Sequence, residues 1–140
     1  MTLIANLIFD TATLVLIWAV QLAIYPALTY YGHENLRIWH RSYTKRITLV
    51  VLPLMFGQLG FTVLAVLGAA SFIAVTKLVL IILVWILTFT IFVPLHNRIE
   101  ESTAMESRSI ASNLVSKNWW RTLLWTLVFI LSAYQIFIHG

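Results

Sequence analysis

The sequence predicts an all-α fold, a four-helix transmembrane bundle, and three observations point to that class. Apolar residues make up 61% of the chain and charged residues 10%, whereas soluble domains carry about 25% charged residues. Four apolar stretches are each long enough to cross a bilayer, which takes about 20 residues. The polar segments between them are too short for a soluble catalytic module. We therefore expect one domain, residues 1–140, with spans near 3–28, 47–71, 73–95 and 119–138 that run up, down, up and down.

Composition also limits the chemistry and the partners. The chain has no cysteine, which excludes disulfides, thiolate metal sites and iron–sulfur clusters. Its net charge of +4 comes from basic residues beside the spans, where they meet anionic lipid rather than nucleic acid. The lipid bilayer is therefore the expected partner and nucleic acid is not. Small residues on helix two allow a homodimer, although packing within one bundle uses such residues equally well.

The basic residues predict an orientation. Eight of the nine lie in or next to two polar segments, residues 29–46 and 96–118, while Lys77 lies near the opposite end of its span. The positive-inside rule then predicts a multi-pass protein of the inner cell membrane, with these segments as cytoplasmic loops and both termini outside. Trp39 and Trp119 fall at the same boundary, where indole rings commonly anchor a span.

Helix one carries a stripe of five residues at helical spacing, most of them polar. They are Asp10, Thr13, Ile17, Gln21 and Tyr25. A carboxylate inside a span faces the bundle interior or a wet cavity. Asp10 therefore has two interpretations: it lies near the outer interface, bonded to Thr13 or water, or it relays protons.

Helix two is predicted to be far longer than a bilayer requires. Its amphipathic start, Asn35–Arg46, projects into or along the interface before Ile47 enters lipid. His40 and Tyr43 lie on the apolar face of this segment. His33 continues the same face towards the N-terminus, and we expect it beside the helix start.

Three prolines predict a cavity near the cytoplasmic side. They fall in the cytoplasmic third of their helices, where bends can splay the bundle. Polar side chains from all four helices lie at that depth. They are Gln21, Tyr25, His40, Tyr43, His96, Asn97, Glu100, Asn118 and Arg121. Ligand and metal sites of helix bundles are built from inward-facing side chains in this way.

The histidines have three open interpretations. His40 or His96 can act as a general base, because an imidazole takes up a proton near neutral pH. Alternatively, His40 and His96 bind a haem or a transition metal, with Glu100 one turn beyond His96 as a third ligand. In the third interpretation, the protein is a structural or lipid-interacting subunit. Side chains would then fill the cavity, and Arg121 would pair with Glu100 or Glu101.

Four short motifs follow one another along the chain. They are Tyr25-Pro26, Trp39-His40-x-x-Tyr43-x-x-Arg46-Ile47-Thr48, Pro94-Leu95-His96-Asn97-Arg98-Ile99 and Asn118-Trp119-x-Arg121-Thr122. Their order and spacing resemble the anthrone-oxygenase-like family of small four-helix membrane proteins over nearly the whole chain. The histidine at position 96 is similar to the bacterial pattern rather than the fungal one. The resemblance implies an oxidoreductase that oxygenates anthrones to anthraquinones without a tightly bound cofactor, and it implies functional positions at Trp39, Asn97, Asn118 and Arg121.

Together, the resemblance and the residue chemistry predict a reaction scheme for a flat, apolar, anthrone- or quinol-like substrate. His40 or His96 would remove a proton from a phenolic or activated C–H group. Asn97 and Arg121 would stabilise the resulting oxyanion. The remaining site residues are expected to bind the substrate. They are Tyr25, Trp39, Tyr43, Asn118 and Trp119.

Overall fold

The computed structural model describes residues 2–139, with side chains through residue 138, and it confirms the all-α four-helix bundle. The four helices are α1 (Thr2–Leu28), α2 (His33–Gly68), α3 (Phe72–Glu101) and α4 (Ala104–His139). Each is long and apolar enough to cross a membrane, as expected of a multi-pass membrane protein. Large apolar side chains are exposed around the outside of the bundle, which suits contact with lipid tails.

The helices pack in a closed square. α1 contacts α2 and α4, and α3 completes the bundle against the same two helices. The stripe predicted on helix one is buried along its whole length, from Asp10 to Tyr25. The early start of helix two is also confirmed, since α2 begins at His33 after an extended Gly32.

Both polar segments, residues 29–46 and 96–118, are largely helical, the first as predicted for Asn35–Arg46 and the second contrary to the loop expected between helices three and four. Only residues 29–32 and 102–103 lie outside the helices there. α4 begins at Ala104 rather than near residue 119, because Thr103 and Glu106 form a capping box. The Glu106 carboxylate accepts the Thr103 N–H at 2.9 Å, and the Thr103 hydroxyl accepts the Glu106 N–H. The T-x-x-E sequence carries that signal.

Two of the three prolines are associated with irregular helix. The π-helix Val20–Ile24 lies directly before Tyr25-Pro26, and the π-helix Thr88–Phe92 lies directly before Val93-Pro94. Proline lacks the N–H that an α-helix needs, and a wider turn accommodates the missing hydrogen bond. Pro53, by contrast, lies inside the continuous helix α2. The irregular turns of α1 and α3 therefore lie next to prolines, whereas α2 keeps α-helical hydrogen bonding around Pro53.

Candidate functional site

A cavity of about 380 Å³ lies inside the bundle, and all four helices contribute to its wall. That volume lies within the range of small-molecule sites, about 300–1,000 Å³. Most of the wall is apolar or aromatic. Its deeper residues are Ile17, Val20 and Tyr25 of α1, His40 and Met55 of α2, Phe92 and His96 of α3, and Arg121 and Trp125 of α4.

The π-helices explain why these side chains meet. Residues five apart align on a π-helix, so Val20 and Tyr25 both line the cavity, and so do Thr88 and Val93. In an unbroken α-helix, residues five apart would point about 140° away from each other. The π-helix of α1 therefore brings Tyr25 to the cavity wall, and that of α3 brings Val93 there.

A hydrogen-bonded chain of three rings runs along one side of the cavity. The Tyr25 hydroxyl lies 3.0 Å from His96 Nε2. His96 Nδ1 lies 2.7 Å from His40 Nε2. Both ring nitrogens of His96 are thus engaged, while His40 Nδ1 is buried and has no partner among the described residues. Protons can pass along such a chain by exchange of donor and acceptor roles.

The tautomers follow from the shared hydrogen bonds. If Tyr25 donates to His96 Nε2, then His96 donates from Nδ1 to His40 Nε2. If the roles are reversed, both imidazoles donate towards Tyr25. In neither arrangement does His96 keep a free lone pair for a ligand. The two ends of the chain are therefore the Tyr25 hydroxyl, which also interacts with the Arg121 guanidinium, and His40 Nδ1, which has no partner among the described residues.

Arg121 brings a positive charge into the site, and no carboxylate of the described residues pairs with it. Its side chain is almost completely buried, and its guanidinium carbon lies 4.5 Å from the centre of the Phe92 ring and 5.0 Å from that of Trp125. No carboxylate within residues 2–138 lies at ion-pair distance from it. Its Nε also has no hydrogen-bond partner there. A buried cation of this kind favours a ligand that brings a negative oxygen.

Seven of the residues predicted for the site line this cavity. They are Tyr25, His40, Tyr43, His96, Asn97, Glu100 and Arg121. Asn97 is exposed, and Glu100 forms an ion pair of 3.6 Å with Arg41 on α2. The candidate general bases, His40 and His96, are hydrogen-bonded to each other rather than pointing separately into the cavity.

Three predicted substrate-binding residues lie elsewhere. Asn118 is buried and donates at 2.9 Å to Gln21 on α1, so it joins α1 to α4. Trp119 is about half exposed and meets Trp18 edge to face on the outer surface. Trp39 stacks on Tyr43, with ring centres 4.7 Å apart, and stands behind it rather than in the wall. Asn118 and Trp119 lie on other faces of α4, because Arg121 occupies the position that faces the cavity.

The residues suggested for a haem or metal do not form a three-ligand metal site. Within the described side chains, no group of three His, Asp or Glu residues could hold a metal ion. The facing nitrogens of His40 and His96 are joined to each other by a hydrogen bond, and Glu100 is engaged with Arg41. These contacts engage both ring nitrogens of His96, Nε2 of His40 and the Glu100 carboxylate, so only His40 Nδ1 is without a partner among the described residues.

The sequence reasoning missed Trp125. It follows Arg121 by one turn, lines the cavity and donates from Nε1 to Gln58 Oε1 at 2.9 Å. Residues four apart share a helix face, so the spacing of Arg121 and Trp125 is a signal that could have identified it.

Asp10 also differs from expectation, because neither Thr13 nor water at the outer interface is its main partner. The carboxylate is fully buried and receives Gln58 Nε2 at 2.7 Å and Lys77 Nζ at 2.8 Å. The Ser132 hydroxyl donates to it as well. We call these four residues, one from each helix, the Asp10 cluster. The interpretation that Thr13 or water binds the carboxylate is wrong because Lys77 turns inward, and a proton relay through Asp10 stays a prediction.

Comparison with known proteins gives no further guide, since no protein-family model, curated protein or solved structure matches this chain.

Proposed function

We propose that the protein is a cofactor-independent membrane oxygenase, which deprotonates a flat aromatic substrate and lets the anion react with dioxygen. The observation that carries this proposal is Arg121, a buried guanidinium with no carboxylate partner among residues 2–138, in a cavity that also holds one end of a proton-accepting chain. Such a cavity suits a molecule that is apolar over most of its surface and carries one acidic oxygen. Anthrones and quinols have this chemistry.

Binding uses the aromatic wall and the guanidinium together. The rings of Phe92, Trp85 and Tyr43 offer apolar faces to a flat substrate. Arg121 donates hydrogen bonds to the phenolic or enolic oxygen, and these bonds strengthen as that oxygen becomes negative. The substrate oxygen thus supplies the negative partner that no carboxylate within residues 2–138 provides.

Proton removal follows the hydrogen-bonded chain. The substrate proton moves to the Tyr25 oxygen while the Tyr25 proton moves to His96 Nε2. His96 can pass its Nδ1 proton to His40 Nε2, so the histidine pair holds one positive charge. Glu100 interacts electrostatically with His40 and is itself partly exposed, so its carboxylate can take up the proton and pass it to solvent. Tyr25 therefore touches the substrate, and the histidines act behind it.

Oxidation of an anthrone then needs only dioxygen. The carbanion carbon forms a bond to oxygen and, after protonation, gives a hydroperoxide. Loss of water from that hydroperoxide breaks the O–O bond and leaves a ketone. The CH₂ group loses four electrons, one oxygen atom enters the product, and the other leaves as water. The protein supplies the base, the oxyanion contact and shelter from bulk water.

Oxygen uptake tests this proposal. Purified protein in lipid nanodiscs is mixed with 1,8-dihydroxyanthrone, and uptake is measured against empty nanodiscs to subtract spontaneous oxidation. Arg121→Gln should lower kcat about 10²- to 10³-fold, the usual effect of losing one oxyanion donor. Arg108→Gln, which changes an exposed arginine of the same helix, should leave it unchanged. Equal rates for wild type and Arg121→Gln would disprove the oxyanion role.

The proton chain has its own test in the same assay. Tyr25→Phe and His96→Ala should each lower kcat by about 10²- to 10⁴-fold, the range for loss of general base catalysis. The matched controls are Tyr134→Phe, at an exposed tyrosine, and His33→Ala, at a histidine outside the cavity. If the controls lose as much activity as the cavity variants, the chain is not the base.

The alternative of a purely structural subunit predicts a filled cavity and an Arg121 paired with Glu100 or Glu101. The cavity is open, and Glu100 pairs with Arg41 instead. These two observations favour a ligand-binding protein over a structural one.

A further inference from the structure

The cavity opens on one side of the bundle. The wall residues that are exposed at the protein surface belong to α2 and α3, whereas α1 and α4 contribute buried or half-buried ones. The exposed wall residues are Thr48, Leu52, Phe89, Val93 and Asn97. We call these five residues the mouth. It lies along the seam between α2 and α3.

The mouth is apolar over most of its rim. Leu52, Phe89 and Val93 are hydrocarbon side chains with 38%, 56% and 40% of their surface exposed. The Thr48 hydroxyl donates to the Thr44 carbonyl at 2.6 Å. The methyl group of Thr48, rather than its hydroxyl, is therefore available to contact a ligand. Only Asn97 carries a free polar head, one turn from the ion pair of Glu100 and Arg41. An apolar opening in the wall of a membrane span faces lipid tails rather than water.

The polar groups of the cavity lie behind this mouth. Tyr25 and Arg121 are buried and belong to the two helices on the far side of the seam. A molecule that passes between α2 and α3 therefore meets hydrocarbon first and the guanidinium last. This order suits an amphiphile that travels in the membrane and inserts its acidic oxygen ahead of its apolar body.

We infer that the substrate reaches the cavity sideways from the bilayer, through the mouth between α2 and α3. Thr48 on the α2 side and Val93 on the α3 side limit the width of the molecules admitted, which makes them specificity-determining positions. The identity of the substrate rests on the proposed function, but the route does not. The ligand class is a lipid-soluble ring compound with one acidic oxygen.

Spin labelling tests whether the mouth faces lipid. The chain has no native cysteine, so a single cysteine at Thr48 or Val93 can carry a nitroxide without background. In nanodiscs, collision with dissolved O₂ should exceed collision with a water-soluble nickel chelate, as at the lipid-facing reference sites Val50 and Ile86. Chelate accessibility equal to that of a label at the exposed residue Lys45 would overturn lateral access, because the mouth would then face water.

Blocking variants test whether the mouth is the route. Thr48→Trp and Val93→Trp narrow it, whereas Val50→Trp and Ile86→Trp place the same ring on the lipid face of α2 and α3 outside the cavity wall. The probe is 1,8-dihydroxyanthraquinone, which is already oxidised, and its binding is followed by fluorescence in nanodiscs. The mouth variants should bind it about tenfold more weakly or more slowly, a typical effect of misfit in an apolar pocket, and the controls should match wild type.

This experiment separates the two proposals. If wild type takes up no oxygen while binding still depends on the mouth, the oxygenase proposal fails and lateral access stands. If oxygen uptake is present while both mouth variants bind and turn over like wild type, the route is overturned and the oxygenase stands. Equal loss of binding in mouth and control variants would also overturn the route, since lipid-facing bulk alone would then explain it.

Discussion

Two buried polar clusters lie at different levels of the same bundle, and they differ in whether their charged groups are paired. In the Asp10 cluster, the carboxylate has a hydrogen-bonding partner on each of the other three helices, and one of these partners is the ammonium group of Lys77. In the cavity, Arg121 has no carboxylate partner among the described residues. Asp10 and Tyr25 lie fifteen residues apart on α1, which is about 20 Å along a helix axis.

This difference in partners indicates that the two clusters have different roles. A satisfied buried network fixes the arrangement of the elements that supply its members. An unsatisfied buried charge lowers stability and persists where a ligand completes it. Composition alone does not distinguish the clusters, since both contain charged and neutral polar residues. Only the partners separate a structural cluster from a site.

The largest expected effect comes from breaking the satisfied cluster. Asp10→Asn leaves the Lys77 charge unpaired and should lower the free energy of unfolding by about 3–5 kcal/mol. Lys77→Met should do the same by leaving the carboxylate alone. The double variant should recover most of the loss, because neither charge is then stranded. Unfolding in detergent with increasing SDS measures all three.

A control for this prediction lies on the surface. Glu34→Gln removes the exposed partner of Arg37 and should change stability by less than about 1 kcal/mol, as surface pairs usually do. If the double variant at positions 10 and 77 loses as much free energy of unfolding as the two single variants together, the two charges do not stabilise the fold as a pair.

The next prediction is an increase in the free energy of unfolding rather than a decrease. Arg121→Met removes a lone buried charge and keeps apolar volume, so the free energy of unfolding should rise by about 1–4 kcal/mol. The same variant should lose oxygen uptake. A stability measurement by the SDS titration, paired with the uptake assay, checks both. Loss of stability in Arg121→Met would show that the guanidinium is structural after all.

Gln58 joins the two clusters and gives a smaller prediction. Its Nε2 donates to Asp10, its Oε1 accepts from Trp125, and Trp125 packs under the Arg121 guanidinium. Gln58→Leu leaves the Trp125 N–H without an acceptor, which costs about 1–3 kcal/mol. Trp125→Phe removes that donor, so the two changes together should cost less than their sum. Strict additivity in this double-mutant cycle would show that the hydrogen bond does not couple them.

The sequence predicts the fold well because the bilayer restricts it. Long apolar runs can only be spans, and the polar stripe of helix one has to be buried, so both follow from composition and period. Helix ends are less predictable: the capping box at Thr103 and Glu106 extends α4 into a segment whose polar composition resembles a loop.

The site is only partly predictable, for a different reason. His40, His96 and Arg121 fall on inward faces that period alone identifies. The pairing of Asp10 with Lys77 depends on the rotation of two helices about their own axes, which no single helix encodes. The π-helix before Pro26 also shifts the phase, so that Gln21 turns to α4 while Tyr25 turns to the cavity.

The smallest expected effect concerns how closely α1 approaches α2. A methyl group added at Gly57 would overlap the Phe9 ring, whereas one added at Gly60 would meet nothing within 4 Å. Gly60→Ala should therefore gain up to about 1 kcal/mol from helix propensity. Gly57→Ala should lose that gain and about 1 kcal/mol more, since overpacking forces Phe9 to move. Equal stabilities for the two alanine variants would show that the close approach is not required.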